Sequence, residues 1–159
     1  MESRNRIQFS FFAAVFLLSA AFTAAENPGT KEELDLIECV GWTLEQAYTK
    51  LGVPEEVFPY RGEKAWQDTV VFYFDEHLYL FWYDNRVWQV RADRRYGKES
   101  RGITLGMPKG ELEELLGQPY HSDETSLIYS LPDRGYPLRM RLFFDDGILS
   151  DLYIYRSDF

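Results

Sequence analysis

The sequence contains few of the residues that most often build catalytic and metal sites. Among its 159 residues there are one cysteine and two histidines. Cys39 has no disulfide partner in the chain, so the fold must depend on its core, and its neighbours Leu36 and Val40 predict a buried, unreactive thiol. His77 and His121 lack a second ligand at zinc spacing. With no nucleophile–base motif either, we expect no enzymatic activity, no metal and no cofactor.

The chain also lacks an excess of positive charge. It has 17 lysines and arginines against 26 aspartates and glutamates, a formal net charge of −9. Nucleic-acid binding depends on neutralising phosphates with basic side chains, and anionic membrane surfaces attract basic segments. The composition therefore argues against nucleic acid or a charged membrane surface as the partner.

A long apolar run occurs only near the N-terminus. Arg4 and Arg6 precede an apolar stretch over residues 9–22, and small residues at 23–25 resemble a cleavage site. A membrane span needs about 20 apolar residues, and this stretch is shorter. The rival interpretation is a retained membrane anchor. We predict that residues 1–25 are a cleaved signal peptide and that the mature chain is periplasmic or secreted, without a stable membrane anchor.

Two segments share one pattern: residues 41–54 and residues 106–119 each read as a glycine, a short helix and Leu-Gly-x-Pro. Thr43 and Gln46 have the spacing of a capping box, which predicts the start of the first helix. Apolar residues at helical spacing predict the buried stripes of the two helices. These stripes are Leu44, Ala47, Tyr48 and Leu51 in the first helix, and Leu112, Leu115 and Leu116 in the second.

After each helix the apolar period changes to the alternation of strands. Strands are predicted over residues 69–74, 78–83, 87–91, 126–129, 138–144 and 148–155, with hairpin turns at 84–86 and 145–147. The predicted class is α+β: two tandem helix-plus-antiparallel-sheet repeats, with sheets side by side and helices on one face. The predicted division is 1–25 signal peptide, 26–40 N-terminal segment, 41–96 first repeat, 97–105 linker and start of the second repeat, and 106–159 second repeat.

A hairpin bulge placed at the second turn predicts which side chains face the helices. The predicted core side consists of Leu138, Met140, Leu142, Phe144, Ile148, Leu152 and Ile154. The predicted outer side consists of Arg139, Arg141, Phe143, Leu149, Asp151, Tyr153 and Tyr155. Arg141 is then expected opposite Asp151. In the first hairpin the pattern leaves two choices for the outward-facing side chains. They are either Tyr79, Phe81 and Tyr83, or Leu78, Leu80 and Trp82.

Residues 106–119 and the hairpin at 138–154 resemble the repeat of the SmpA/OmlA and β-lactamase inhibitory protein-like group. The first half matches more loosely, through Leu51-Gly52-Val53-Pro54 and its hairpin. The resemblance implies an exported binding protein with helices on one sheet face and the other face open to a partner. The chain departs from the group because it has no lipidation cysteine and because Pro108 replaces the usual Ser/Thr helix cap.

These patterns predict a non-enzymatic adaptor or inhibitor that binds another exported or envelope protein through an aromatic-rich sheet face. The predicted partner-binding residues are Arg139, Arg141, Phe143, Tyr153, Tyr155, Tyr79, Phe81 and Tyr83. Three alternatives stay open. Loops or the segment 26–40 would cover the aromatic side chains, the protein would be a structural component of an envelope assembly, or it would carry a small apolar ligand.

Overall fold

The computed structural model describes residues 34–62 and 68–158, so the predicted signal peptide lies outside the described residues. Three short helices are α1 (Leu36–Cys39), α2 (Leu44–Leu51) and α3 (Lys109–Leu116). Eight strands are β1 (Glu56–Tyr60), β2 (Thr69–Phe74), β3 (Leu78–Tyr83), β4 (Arg86–Asp93), β5 (His121–Ser122), β6 (Ser126–Leu131), β7 (Leu138–Asp145) and β8 (Ile148–Arg156). Among these residues, no helix is both long enough and apolar enough to cross a membrane.

All eight strands belong to one antiparallel sheet with the order β1-β2-β3-β4-β8-β7-β6-β5. The α+β class fits loosely, because the architecture is mainly sheet with few helices. The predicted layout was two helix-plus-sheet repeats with their sheets side by side, and what the structure shows is one sheet. Strands β4 and β8 form a hydrogen-bonded ladder, so the strands of both chain halves belong to one continuous sheet.

The helix starts follow the local sequence closely. Thr43 accepts a hydrogen bond from the backbone N–H of Gln46, whose side chain accepts one from Thr43, and this confirms the capping box. Pro108 caps α3 without a side-chain hydrogen bond. The apolar stripes were only partly right, because Leu44 and Tyr48 are exposed at 39% and 44%. Helices α2 and α3 are each only eight residues long, and each has one fully buried residue, Ala47 in α2 and Leu112 in α3.

The core lies between the helices and one face of the sheet. Cys39, Ala47 and Leu112 contribute from the helical side. Cys39 is fully buried and burial raises the pKa of its thiol, which confirms the buried position predicted for it. The sheet contributes Phe72, Phe74, Leu78, Leu80, Trp82, Val87, Val90, Ala92, Leu138, Met140, Leu142, Phe144, Leu149, Leu152 and Ile154. The first hairpin therefore turns Leu78, Leu80 and Trp82 inward.

Both long hairpins combine a tight turn with a bulge. Asp84-Asn85 and Asp146-Gly147 have positive φ at both turn positions, the conformation of a type I′ turn. The register then shifts after the first pairs of each hairpin. The extra residues, Trp88 and Ser150, lie within β4 and β8 instead of at the turns.

The position of the second bulge corrects two predictions. Leu149 pairs with Phe144 and is buried, whereas Ile148 is 42% exposed, the reverse of the predicted assignment. Arg141 faces Tyr153 across the ladder and not Asp151. The reason is that a bulge one or two residues into the strand exchanges the faces of the residues before it.

Candidate binding face

The sheet face away from the helices, which we call the open face, presents the side chains that alternate with the core residues. Four consecutive strands place Tyr79, Arg91, Tyr153 and Arg141 directly beside one another in register. We call these four residues the Tyr/Arg row. All four side chains are half-buried. Phe143, Arg139 and Tyr155 extend the open face on either side of the row along β7 and β8.

Arg91 occupies the centre of the Tyr/Arg row. Its guanidinium carbon lies 5.0 Å from the ring centroid of Tyr79 and 5.6 Å from that of Tyr153. Its Nε and Nη2 donate to Oδ1 of Asp151 at 2.9 and 2.5 Å. Burial lowers the pKa of Arg91, but the hydrogen bond to Asp151 and the neighbouring charges raise it by more, so the pKa lies above its usual value. This arginine is therefore held and neutralised within the protein.

The β3 end of the row surrounds a buried carboxylate. Asp93 accepts a hydrogen bond from the Tyr79 hydroxyl at 3.0 Å and from the backbone N–H of Arg95 at 2.9 Å. The Arg95 side chain donates to it as well, and His77 Nδ1 lies 3.7 Å away. Burial alone raises the pKa of Asp93, but the hydrogen bonds from Arg95 and Tyr79 lower it more. The charge at this end is thus satisfied internally.

The β7 end of the row has a different electrostatic environment. The guanidinium of Arg141 stacks on Phe143, with its carbon 4.4 Å from the ring centroid, and donates to Ser126 Oγ at 3.3 and 3.2 Å. Arg139 lies 4.0 Å from the ring centroid of Tyr120. Phe143 and Tyr153 meet edge to face at 5.5 Å. Rings and a hydroxyl, not carboxylates, hold these two arginines in place.

Ser126 links Arg141 to a loop carboxylate. Its hydroxyl donates to Asp123 at 2.9 Å while it accepts from Arg141. Asp123 also accepts from the backbone N–H groups of Ser126 and Thr125, at 2.6 and 2.9 Å. These bonds, the Ser126 hydroxyl foremost, lower the pKa of Asp123 from 3.8 to about 2. Hydrogen bonds to a carboxylate favour its charged form.

Asp123 gives a direct pH prediction. Because its folded-state pKa lies below 3.8, its contribution to stability is present above about pH 4 and is lost as the pH falls towards 2. Replacing Ser126 with alanine removes the largest cause and is expected to move the Asp123 pKa back towards 3.8. A carboxyl-carbon NMR titration measures both values. An unchanged midpoint in the variant would show that the hydroxyl has no such role.

The open face gathers most, but not all, of the predicted partner-binding residues. Those that are half-buried on its central strands are Tyr79, Arg139, Arg141, Phe143, Tyr153 and Tyr155. Phe81 lies on the same face but is only 6% exposed, with the rings of Tyr60 and Trp88 at 5.8 and 6.4 Å. Tyr83 is 42% exposed at the last position of β3, beside the hairpin turn and away from the Tyr/Arg row. Neighbouring aromatic rings therefore cover Phe81, which leaves little of it accessible to a partner.

Arg91 was missing from the predicted set. The strand over residues 87–91 was recognised, but without the bulge at Trp88 its outward side could not be assigned. Of the segment 26–40, one predicted cover, residues 26–33 lie outside the described residues, and residues 34–40 pack with the core through Leu36 and Val40. Within the described parts of the chain, no group of three or more His, Cys, Asp or Glu side chains is placed to hold a metal ion.

No protein-family model matches the chain, and no curated protein matches its sequence. Its structure is similar to an extracellular protein containing a SCP domain from Bacillus anthracis str. Ames, with TM-score 0.55 and 11% identity over 80% of this chain and 47% of that one. It is also similar to a cysteine-rich secretory protein from Staphylococcus aureus subsp. aureus Mu50, with TM-score 0.50 and 13% identity over 76% of this chain and 44% of that one. At these identities the likeness is one of fold alone.

The chain therefore spans less than half the length of both proteins. A protein from Streptococcus mutans that is proposed to be a β-lactamase inhibitor protein superposes with a TM-score of only 0.30 at 12% identity, over 74% of this chain and 91% of that one. A score this low carries no argument about fold or function.

Proposed function

We propose that this chain is an exported, non-enzymatic protein-binding module that binds another exported or envelope protein through the open face. One observation carries the proposal: the Tyr/Arg row and its neighbours Phe143, Arg139 and Tyr155 are half-exposed on the four central strands, while the helices pack on the opposite face. Tyrosine, arginine and aromatic residues are the types that most often anchor protein interfaces.

The arrangement of these side chains favours binding for a second reason. Ring stacking and hydrogen bonds already order Arg91, Arg141 and Tyr153 in the unbound protein. Binding pays an entropy cost for each flexible side chain that it immobilises, so ordered anchors reduce that cost. A sheet built on a packed core also presents them on a firm base.

Export and a duplicated origin belong to the same proposal. The N-terminal apolar run supports export, and the two similar folds come from proteins described as extracellular and secretory. The pairing of β4 with β8, and a type I′ turn followed by a bulge in both long hairpins, support descent from two copies of one unit. On this basis we infer kinship with the SmpA/OmlA and β-lactamase inhibitory protein-like group.

A triple substitution tests the role of the open face. The protein in which Arg141, Phe143 and Tyr153 are all replaced by alanine is expected to lose capture of its partner from an envelope extract, because interface anchors contribute about 2 kcal/mol or more each. Capture is measured by affinity pull-down and quantitative mass spectrometry. The circular-dichroism spectrum should stay unchanged, since the three side chains are only half-buried.

The matched control removes the same kinds of side chain from the helical side. Tyr48→Ala, Arg101→Ala and Leu115→Ala together delete one tyrosine, one arginine and one apolar residue, all exposed. This control is expected to capture the same proteins as the unmodified chain. Equal capture by both triple variants would contradict a binding role for the open face.

A further inference from the structure

Most arginines in the described part of the chain are neutralised by nearby carboxylates. Among the described residues, those with a carboxylate oxygen within 4.0 Å are Arg61, Arg91, Arg94, Arg95, Arg101, Arg134 and Arg156. Such pairing is expected in a chain with nine more acidic than basic residues. Arg86, Arg139 and Arg141 have no described carboxylate within that distance. Arg86 is exposed and donates to the carbonyl of Gly41 at 3.2 Å, away from the open face.

Arg139 and Arg141, unlike Arg86, lie on the open face and are half-buried. Arg141 uses two N–H groups on the single oxygen of Ser126, and a guanidinium has five. Its positive charge is balanced only indirectly, through Ser126 to Asp123. A half-buried guanidinium without a carboxylate retains strong capacity for a charge-assisted hydrogen bond.

Arg91 shows how the same face receives a carboxylate. Two nitrogens of Arg91 donate to Asp151 while tyrosine rings flank the guanidinium. Arg141 lies two strands away in the same row, also beside Tyr153, and carries a ring under its guanidinium. The two environments differ chiefly in the carboxylate, which the protein supplies to Arg91 and not to Arg141.

We propose that the open face binds an acidic, extended segment of the partner protein, with one Asp or Glu carboxylate on Arg141 and a second on Arg139. This inference rests on the proposed function and specifies the chemistry of the partner. Arg139 and Arg141 are two positions apart on β7, so they lie about 7 Å apart along one face. Alternate residues of an extended peptide have the same spacing. A protein segment is favoured over an anionic lipid surface because such surfaces are recognised by clusters of about four to eight basic side chains, whereas Arg139 and Arg141 are two.

A displayed library of random peptides provides the probe. Selection on the full chain is expected to enrich peptides with Asp or Glu at alternate positions. The Arg139→Gln, Arg141→Gln double variant should bind those peptides about tenfold to a hundredfold more weakly, the range that a lost charge-assisted hydrogen bond predicts. Arg101→Gln is the control, because it removes one positive charge next to Asp35 outside the open face. Thermal unfolding of all three proteins checks that each is folded.

The outcomes separate this inference from the proposed function. Binders that need Phe143 and Tyr153 but carry no acidic residues would overturn the acidic partner and leave the binding face standing. Acidic binders that tolerate the double variant would overturn the assignment to these arginines. Absence of any binder sensitive to open-face substitutions would overturn both. Binding to phosphatidylglycerol vesicles that requires Arg139 and Arg141 would replace the acidic peptide with a lipid headgroup.

Discussion

Replacing Leu142 with alanine is expected to lower the free energy of unfolding by about 2 to 5 kcal/mol. Leu142 is fully buried and lies between Leu127 and Leu152 on the neighbouring strands, and both of these are also buried. Removing its side chain loses the transfer free energy of the deleted carbons. It also leaves a cavity that three packed strands cannot close, because hydrogen-bonded ladders fix their spacing.

Urea denaturation followed by circular dichroism measures this loss. The same substitution at Leu115, which is 50% exposed on α3, is the control and is expected to change stability by no more than about 0.5 kcal/mol. Similar losses at both positions would mean that the row through β6, β7 and β8 is not the centre of the core.

Replacing Gly41 with alanine is expected to destabilise the protein by about 2 to 5 kcal/mol, from two separate causes. Gly41 has φ +90°, a conformation that costs an L-residue about 1 to 2 kcal/mol. In addition, a β-carbon at this position would overlap the Tyr136 hydroxyl, which donates to the carbonyl of Val40 at 3.0 Å. Relieving that overlap requires a shift of packed groups, which typically costs about 1 to 3 kcal/mol.

Gly106 and Tyr136 allow the two causes to be separated. Gly106 has φ +95° but no atom within 4 Å of an added β-carbon, so Gly106→Ala should cost only the backbone term of about 1 to 2 kcal/mol. In a Tyr136→Phe background, Gly41→Ala should cost a similar amount, because the obstructing oxygen is gone. Denaturant midpoints of the unmodified protein, the three single variants and the double variant complete the comparison. An equal cost of Gly41→Ala in both backgrounds would refute the steric explanation.

Local sequence was sufficient for elements whose signals are confined to a few neighbouring residues. The capping box at Thr43 and Gln46 was predicted and is present, and strand β3 has the predicted bounds, Leu78–Tyr83. Strand β2 likewise matches residues 69–74. In each case the pattern lies within the element itself, so the local sequence was enough to predict where the element begins and ends.

Other features depend on contacts that the sequence does not display. Strand β1 contains Pro59 and lies at the sheet edge, so its residues 56–60 lack the alternation of a half-buried strand. The pairing of β4 with β8 joins segments about 60 residues apart, and no local pattern specifies it. The bulge at Ser150 also has no signal in the local sequence, which is why Ile148 and Leu149 were assigned to the wrong faces.

The candidate site was predictable to the extent that it follows alternation along one strand. Arg139, Arg141 and Phe143 on β7 precede the bulge, so their common face was correctly assigned. The Tyr/Arg row itself could not be foreseen. It requires the register of β3 with β4 and of β4 with β8, which brings Tyr79 and Arg91 beside residues of the other half.

The place of β8 in the sheet has a consequence for how the protein is made. Residues 148–156 follow every other strand in the chain, yet they lie at the middle of the sheet between β4 and β7. A growing polypeptide therefore holds two long strands, β4 and β7, with open hydrogen-bonding edges until residues 148–156 emerge. Such edges readily pair with other chains. The stage after β7 has formed and before β8 joins the sheet is thus the one at which these open edges favour self-association.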